Sequence, residues 1–367
     1  METEHRVVVG DSREMSEVDD DSVELVVTSP PYPMIEMWDE LFDGLDPEVG
    51  DRLAEGDGQA AFEAMHKGLD RVWEEVSRVL VSGGIACVNV GDATRKVEGS
   101  FRVYQNHSRI IDVFEQLGFE PLPELLWRKP VNSAAKFMGS GMLPPNAYVT
   151  LEHEYILVFR NGKQSLEFEP GSERRYESAY FWEERNEWFS DVWEDVRGEL
   201  QHLERGELRN RSAAYPFEIP YRLVCMYSVY GDTVCDPFWG TGTTSLAAMV
   251  AGRNSVGYEL EDDFTRVFDE RVESVTEFSK NVVRQRLEDH RAFVTRKIES
   301  GAEFEYEADN YDFPVTTKQE KSLRLYAVGD VEETTEGYRV AHEAIDDEQS
   351  DSGWKQQTGQ AASLSDF

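Results

Sequence analysis

Val23–Tyr32, with the sequence VELVVTSPPY, is the stretch that decides the predicted fold. Its first half is apolar and largely β-branched, which predicts a buried parallel strand running directly into a loop. Two consecutive prolines then fix an extended turn, in which backbone carbonyls point outward and not into a helix. A hydroxyl from Ser29, a rigid carbonyl from Pro30 and an aromatic ring from Tyr32 are therefore offered together at one strand end.

Strands and helices alternate around this stretch. His5–Asp11 predicts a strand before it, and apolar residues at three- and four-residue steps between Phe62 and Leu80 predict a helix after it. Gly83 and Gly84 end that helix before another strand, and the pattern then repeats with a helix around residues 110–117 and a strand at 122–127. This alternation predicts a doubly wound α/β sheet.

A second strand–helix–strand unit lies near residue 240. Asp236–Thr244, with the sequence DPFWGTGTT, connects a predicted strand to an Ala-rich helix, and Glu259 ends the next strand. Glycines allow a ligand to approach the backbone closely, and an acid at the following strand end can accept hydrogen bonds from ribose hydroxyls. A nucleotide-like cofactor fits this pattern, although many such turns need glycine for structural reasons alone. The chain has no GxxxxGK[ST] motif, so a phosphate-binding P-loop is excluded.

The Ser29–Tyr32 turn suits an exocyclic amine. The Ser29 hydroxyl and the Pro30 carbonyl can accept both N–H hydrogens, while Tyr32 stacks on the base that carries the amine. Orientation then supplies most of the rate enhancement. A lone SPPY is more often an ordinary turn, but its position after an apolar strand, in a chain that also has the glycine loop, favours a catalytic role.

Both motifs together resemble the permuted, β-class amino-methyltransferases of DNA, in which the catalytic motif precedes the recognition region and the cofactor loop follows it. Thr28–Tyr32 is similar to the family's [DNS]PP[YFW] motif, and Asp236–Thr244 to its DPFxGxGTT motif. Further similarities at residues 10–11, 78–84, 127–130 and 256–259 extend the resemblance over residues 5–275. One departure is Ser212–Phe217, where the family often has HPAxFP; the histidine is absent, so no side-chain role is carried over.

The resemblance implies a Rossmann-like class I sheet that binds S-adenosylmethionine, in circularly permuted motif order, with an inserted target-recognition region. It divides the chain into a catalytic half (1–130), a recognition region (131–210), a cofactor-binding half (211–275) and an acidic helical extension with a disordered tail (276–367). No metal is implied. The implied catalytic residues are Ser29, Pro30, Pro31 and Tyr32, and the implied cofactor-binding residues are Asp11, Asp236, Phe238, Gly240, Gly242, Thr243 and Glu259.

Serine at the first motif position resembles the N4-cytosine members of the family, since aspartate is typical of N6-adenine members. Similarity to haloarchaeal solitary enzymes implies CTAG as the target in double-stranded DNA. C5-cytosine methylation needs a thiolate nucleophile, and the chain has no Pro-Cys dipeptide. The alternatives are an N6-adenine enzyme, an RNA or protein methyltransferase, and a DNA-binding regulator without catalysis.

The predicted recognition region is irregular and rich in arginine and tryptophan. Arginine can bind guanine edges and aromatic rings can fill an emptied base stack, but for any single residue an ion pair or a core position is the commoner role. Lys129 and Lys136 could hold phosphates near the target base. The residues concerned are Arg174, Arg175, Arg185, Arg197, Arg205, Arg209, Arg211, Trp182, Trp188 and Trp193.

The charge balance works against an approach to DNA. The chain has 37 Lys+Arg and 73 Asp+Glu, a net charge of −36, spread along its whole length. Such a surface resembles that of haloarchaeal proteins, and in concentrated salt a Debye length of about 3 Å screens the repulsion. We therefore predict a halophilic protein.

The remaining features predict a cytoplasmic protein. Cys87, Cys225 and Cys235 lie far apart in apolar runs without metal-ligand spacing, which indicates reduced core residues. Neither a signal peptide nor an apolar run long enough to span a membrane is found. The acidic helix after residue 276 would pack on the sheet or on a second copy of the chain, as in a homodimer, and the sequence leaves a restriction partner undetermined.

Overall fold

The computed structural model describes residues 1–129, 138–196 and 215–346. Its centre is a ten-stranded sheet, which confirms the predicted α/β, Rossmann-like architecture. The strands of the described residues are β1 (Glu2–Val9), β2 (Val23–Thr28), β3 (Leu80–Val90), β4 (Ala93–Val97), β5 (Ser100–Tyr104), β6 (Phe119–Arg128), β7 (Met138–Gly139), β8 (Ala147–Tyr148), β9 (His153–Asn161), β10 (Val192–Trp193), β11 (Thr233–Asp236), β12 (Asn254–Glu259), β13 (Tyr306–Glu307), β14 (Pro314–Val315), β15 (Tyr326–Thr334) and β16 (Gly337–Ala344).

Helices cover both faces of this sheet. The predicted helix at residues 62–80 forms one long element with an amphipathic face, and its first turn is capped by Asp57, whose side chain accepts a hydrogen bond from the Ala60 N–H. Within the described residues, the helices are α1 (Asp39–Leu45), α2 (Glu48–Ala54), α3 (Gly58–Val79), α4 (Asn106–Gln116), α5 (Glu173–Glu177), α6 (Trp182–Trp188), α7 (Glu218–Tyr227), α8 (Thr243–Val250), α9 (Asp263–Val272) and α10 (Val275–Glu299). Two short 3-10 helices lie at Glu36–Trp38 and Lys318–Glu320.

The strand order across the sheet is β10-β6-β9-β3-β2-β11-β12-β1-β16-β15. The five strands from β3 to β1 are mutually parallel, and β9 and β16 run antiparallel to their neighbours. From β2 the chain crosses through α3 to β3 on one side, whereas from β11 it crosses through α8 to β12 on the other. The order therefore reverses between β2 and β11, and a crevice opens at the carboxyl ends of these strands.

The side chains of β2 pack alternately into two apolar cores. Leu25 and Val27 pack into one core with α7 and α8, while Val26 packs into the other with α3 and α4. Each fully buried apolar side chain contributes about 1.5–3 kcal/mol relative to an exposed one. Both faces of the strand are thus buried, which explains its nearly continuous apolar sequence.

The predicted recognition region, residues 131–210, is not separate from the sheet throughout. β9 lies in the sheet between β6 and β3, and β10 pairs with β6 at its edge. Trp188 and Trp193 are buried in the same core as α7. Parts of this region therefore belong to the central sheet, because β9 and β10 pair with distant strands, while its role in target recognition stays a prediction.

The extension from residue 276 was predicted as helical, and this is wrong for residues 326–344. α10 packs on β15, and the β15–β16 hairpin extends the sheet beyond β1 through pairs such as Thr3 with Val340. The helix thus packs on the chain's own sheet, while a homodimer stays a prediction. The predicted disordered tail lies, from residue 347 onward, outside the described residues.

All three cysteines are buried and unpaired, as the sequence indicated. Within the described ranges, none of the helices combines the length and apolar character needed to cross a membrane. A cytoplasmic location stays a prediction.

Candidate active site

Four neighbouring strand ends bring the predicted site residues together. The loops after β2, β11, β12 and β1 line one cavity of about 500 Å³. It is closed on a further side by α1 and α3, with Trp38 and Leu69 among the lining residues. The cavity is lined by Asp11, Ser29, Pro30, Pro31, Tyr32, Asp236, Phe238, Gly240, Thr243 and Glu259, which are all of the predicted site residues except Gly242.

Asp236 is buried at the floor of this cavity. Its carboxylate accepts hydrogen bonds from the Thr28 hydroxyl at 2.6 Å, the Thr244 hydroxyl at 2.6 Å and the Phe238 N–H at 3.1 Å. Burial raises the pKa of Asp236 to about 6, against the effect of these hydrogen bonds. These hydrogen bonds therefore connect β2 to the Asp236–Thr244 loop. Any contact of the carboxylate with a ligand would come in addition to this structural role.

Glu259 offers acceptors toward the cavity. One carboxylate oxygen accepts the Gly240 N–H at 2.8 Å and the other accepts the Glu261 N–H at 3.0 Å. A carboxylate has about four acceptor positions, so capacity remains for two ligand hydroxyls. Burial raises the pKa of Glu259. The backbone contacts fix the side chain at the strand end, as the ribose role requires.

Asp11 faces the cavity from the end of β1 but is held by Arg13. The Arg13 guanidinium donates to both carboxylate oxygens, at 2.6–3.1 Å, and the Arg13 backbone N–H donates to one of them. Burial opposes ionisation of Asp11, but these hydrogen bonds outweigh it and lower its pKa. The pair presents a planar guanidinium beside the carboxylate, a surface that suits a heteroaromatic ring.

Gly242 has a packing role and is not part of the cavity lining. It precedes α8 with φ +74°, and a Cβ there would lie 2.4 Å from Phe268 and 2.8 Å from Trp239. Its turn shapes the Gly240 loop, and a contact of Gly242 with the cofactor stays a prediction. Arg271 supports the same loop by donating to the Thr241 carbonyl at 2.9 Å.

Substituting Gly242→Ala is expected to destabilise the protein by about 1–3 kcal/mol, since a left-handed backbone and a steric clash act together. Urea unfolding of wild type and variant measures this difference. Gly44→Ala on α1 is the matched control, because no atom lies within 4 Å of the added methyl group. Equal losses in the two variants would contradict the packing role.

The catalytic turn is part of a hydrogen-bonded cluster that the sequence did not indicate. The Tyr32 hydroxyl donates to Glu154 Oε2 at 3.0 Å and lies 3.1 Å from Ser29 Oγ. Asn89 Nδ2 donates to the Tyr32 hydroxyl at 2.9 Å and to Glu154 Oε2 at 2.8 Å. Lys129 Nζ donates to the other oxygen of Glu154. We call Ser29, Tyr32, Asn89, Glu154 and Lys129 the catalytic cluster.

The cluster sets the direction of the hydrogen bond at Ser29. Burial, with the nearby charge of Glu154, raises the pKa of Tyr32 well above its ordinary value, so its hydroxyl stays protonated. That proton points at Glu154, which as a carboxylate only accepts. Toward Ser29 the Tyr32 oxygen can then only accept, so the Ser29 proton points to Tyr32. The Ser29 oxygen thereby presents a lone pair, which is what an incoming amine N–H needs.

Several site residues escaped prediction, among them Arg13, Asn89, Glu154, Tyr215 and Trp38. Asn89 is a polar residue at the end of the otherwise apolar β3, a signal that could have been recognised in the sequence. Glu154 meets Tyr32 only because β9 pairs with β3. Tyr215, which lines the cavity and bonds the Thr244 hydroxyl at 2.5 Å, lies in the segment that departs from the family pattern. Trp38 had no sequence signal.

The described arginines of the middle region have intramolecular contacts. Arg174 pairs with Asp232 at 3.1 Å, and Arg175 and Arg185 lie over the rings of Phe168 and Phe189. The predicted ion pair is thus found for Arg174, whereas Arg175 and Arg185 make cation–π contacts. Four further arginines (Arg197, Arg205, Arg209 and Arg211) and Lys136 lie outside the described residues.

Comparison with known proteins agrees with this geometry. The model of the N6/N4 methyltransferase family, described as DNA methylase, matches residues 23–270, which include both motif loops. The chain belongs to this family. An N6/N4 DNA methylase is thus assembled here from a catalytic loop early in the chain and a glycine loop late in it.

Relatives of this methylase cover most of its length. The type II methyltransferase M.MthZI of Methanothermobacter thermautotrophicus is 51% identical over 328 residues, covering 89% of this chain and 91% of that protein. The type II methyltransferase M.MjaI of Methanocaldococcus jannaschii is 51% identical over 281 residues, covering 74% and 91%. Among solved structures, TTHA0409 of Thermus thermophilus, in complex with S-adenosyl-L-methionine, has a TM-score of 0.56 at 32% identity and covers 73% of this chain and 92% of that one.

Proposed function

We propose that this methylase transfers a methyl group from S-adenosylmethionine to N4 of cytosine in a short sequence of double-stranded DNA, with the target base flipped out of the helix. The observation that carries the proposal is the shared cavity: the Ser29–Tyr32 turn and the Asp236–Thr244 loop line the same space. Base and cofactor could therefore meet at the carboxyl ends of β2 and β11. The type II character of both methanogen relatives supports a DNA target.

The cavity fits the proposed cofactor. Its volume lies in the range of small-molecule sites. Glu259 has acceptor capacity for two ribose hydroxyls, and the Asp11–Arg13 pair and Phe238 offer planar surfaces beside it. TTHA0409, which has a similar fold at 32% identity, contains S-adenosyl-L-methionine. When bound, this cofactor supplies an electrophilic methyl group.

The protein's own contribution is to hold and polarise the amine. Ser29 Oγ and the Pro30 carbonyl accept its two N–H hydrogens, which draws the nitrogen lone pair out of conjugation with the base ring. Tyr32 stacks on the base and is held in place by Glu154 and Asn89. No side chain needs to act as a nucleophile. Cys87, the cysteine in the neighbouring strand β3, is buried and burial raises the pKa of its thiol, which disfavours C5 chemistry.

The choice of cytosine rests on Ser29, and CTAG on the resemblance of the whole chain to haloarchaeal enzymes. An adenine N6 amine offers the same two hydrogens to the same acceptors, so adenine is the alternative substrate on this scaffold. Serine in place of aspartate at the first motif position resembles the N4-cytosine members of the family, and this resemblance favours cytosine.

Nucleoside analysis tests the proposal directly. The purified protein is incubated in high salt with labelled S-adenosylmethionine and unmethylated DNA, the DNA is digested, and the labelled nucleoside is identified by mass spectrometry. We expect N4-methylcytosine, and in undigested DNA fragments we expect the label to map to one short sequence. N6-methyladenine would overturn the choice of base, and transfer only to RNA or protein would overturn the choice of substrate.

Glu259→Gln is expected to weaken S-adenosylmethionine binding about 10- to 100-fold, since charge-assisted hydrogen bonds to hydroxyls contribute about 1.5–3 kcal/mol. Isothermal titration calorimetry measures the affinity, and kcat at saturating cofactor should change little. Glu270→Gln, an exposed glutamate on α9, is the control. Unchanged affinity in Glu259→Gln would exclude the ribose role.

We also infer adaptation to concentrated salt. The chain has 73 acidic and 37 basic residues, and the excess of acidic residues is not confined to one domain. Repulsion between this surface and DNA phosphates is strongest in dilute buffer. Methyl transfer is accordingly expected to rise with salt before it falls. A steady decrease from low salt would contradict the adaptation.

A further inference from the structure

One excursion of the chain, the segment between β6 and β9, begins and ends at the catalytic cluster. The chain leaves the sheet after β6 and returns at β9, where the Lys129 N–H donates to the Glu152 carbonyl at 2.8 Å. Lys129 and Glu154, on the two sides of this closure, bond to each other, and Glu154 bonds the Tyr32 hydroxyl. Anything that the excursion presents is therefore anchored beside the base-binding turn.

The described part of the excursion is a short hairpin with an apolar tip. β7 and β8 pair, and the turn between them exposes Met142 by 85% and Leu143 by 72%. Ten residues separate Met142 from Glu152, a length that spans at most roughly 35 Å. The major groove of DNA is only about 12 Å wide. The length of this segment therefore does not prevent the tip from approaching the base stack of a duplex.

A second ribbon braces this hairpin. The ring of Phe101 on β5 stacks on Tyr148 of β8, with centroids 5.0 Å apart. On the partner strand β4, Arg95 forms an ion pair at 2.6 Å with Asp39 of α1, the helix that lines the cavity. The hairpin is thus fixed to the wall of the active site, although its tip is exposed.

The charge of this segment differs from that of the rest of the chain. Asp and Glu make up 73 of the 367 residues, yet from Leu125 to Leu151 the sequence contains none, while Arg128, Lys129 and Lys136 fall within it. Elsewhere the acidic surface repels phosphates. Arg128 and Lys129 are paired with glutamates outside this segment, so its described part is close to neutral. In an otherwise acidic chain, a neutral surface repels DNA phosphates least.

We propose that Met142 and Leu143 insert into the base stack of duplex DNA and fill the space that the target base leaves. The proposal rests on the proposed function, because it requires DNA as the substrate and a flipped base. Apolar side chains inserted between base steps unstack them, and flipping has to overcome unpairing and unstacking of the target. The hairpin tip lowers that cost by replacing the lost stacking contacts.

The test compares paired and mismatched substrates. The double variant Met142→Ala/Leu143→Ala and the wild-type protein methylate two duplexes built around the sequence to which the label maps in undigested DNA, one fully paired and one with a mismatch at the target base. On paired DNA the variant is expected to lose about tenfold or more in kcat/KM, since unaided flipping is costly. On mismatched DNA, where the base is already unpaired, it should approach the wild-type rate.

Controls separate this proposal from others. Ile298→Ala, which truncates an exposed apolar residue on α10, should match the wild-type protein on both duplexes. Equal rates of the double variant and wild type on paired DNA would overturn the insertion, as would an equal loss on both duplexes. A changed oligomeric state of the double variant in size-exclusion chromatography would instead assign the tip to contact with a second copy. If the wild-type protein methylates no DNA, the proposed function itself fails.

Discussion

Ser29→Ala is expected to lower kcat by about 100-fold or more while leaving S-adenosylmethionine affinity unchanged. Ser29 presents a lone pair to the substrate amine because its own proton is directed to the Tyr32 hydroxyl, 3.1 Å away. Loss of one preorganised interaction with developing charge costs about 3 kcal/mol in comparable enzyme sites. Single-turnover methylation of DNA measures the rate, and calorimetry measures the cofactor affinity.

Ser16→Ala is the matched control for this prediction. Ser16 is exposed in the loop after Asp11, so truncation there should leave rate and affinity as in the wild-type protein. Should Ser29→Ala retain a rate within threefold of wild type, the amine would be held by the Pro30 carbonyl alone. A loss of cofactor affinity in Ser29→Ala would instead indicate that the turn contacts the cofactor.

The central strands could be predicted because their pattern is local. β2, β3, β11 and β12 are largely buried and contain short apolar runs, so each was recognisable by itself. Residues at their carboxyl ends were then expected to meet, since parallel strands end at one edge. Ten of the eleven predicted site residues do line one cavity.

The edge hairpin β15–β16 was missed for a physical reason. β15 alternates buried residues with exposed acids, such as Glu332, and a charged outer strand protects a sheet edge from pairing with other chains. In an acidic chain the same residues are indistinguishable from a polar tail. Its place next to β1 depends on pairing between residues more than 300 positions apart, such as Thr3 with Val340, which no local pattern contains.

Glu154 shows the same limit within the site. The strand around it was recognisable, but not that it enters the sheet next to β3, where Asn89 pairs with Ile156. This register brings Glu154 to the end of the sheet at which Tyr32 lies. Local sequence thus predicted which residues line the cavity, while nonlocal pairing determines which residues orient Tyr32 and Ser29.

Glu154→Gln is expected to lower kcat about tenfold with unchanged cofactor affinity. The amide keeps the size of the side chain but contributes donors as well as an acceptor, so the Tyr32 proton is no longer directed to one place. The Ser29 proton is then no longer directed to Tyr32, so the Ser29 oxygen no longer presents a fixed lone pair. The Lys129 ammonium also loses its counter-charge. Glu152→Gln, two residues away and paired with Arg128 at 3.5 Å on the surface, is the control.

A double-mutant cycle distinguishes orientation from general destabilisation. Tyr32→Phe removes the hydroxyl through which Glu154 acts, so the combination with Glu154→Gln should be no slower than Tyr32→Phe alone. If the two effects multiply, Glu154 acts on the reaction by another route, such as the placement of Lys129 near a phosphate. Thermal melting of each variant checks that the sheet pairing of β9 with β3 is intact. Coupling in kcat without a matching loss of stability would identify Glu154 as the residue that makes Ser29 an acceptor.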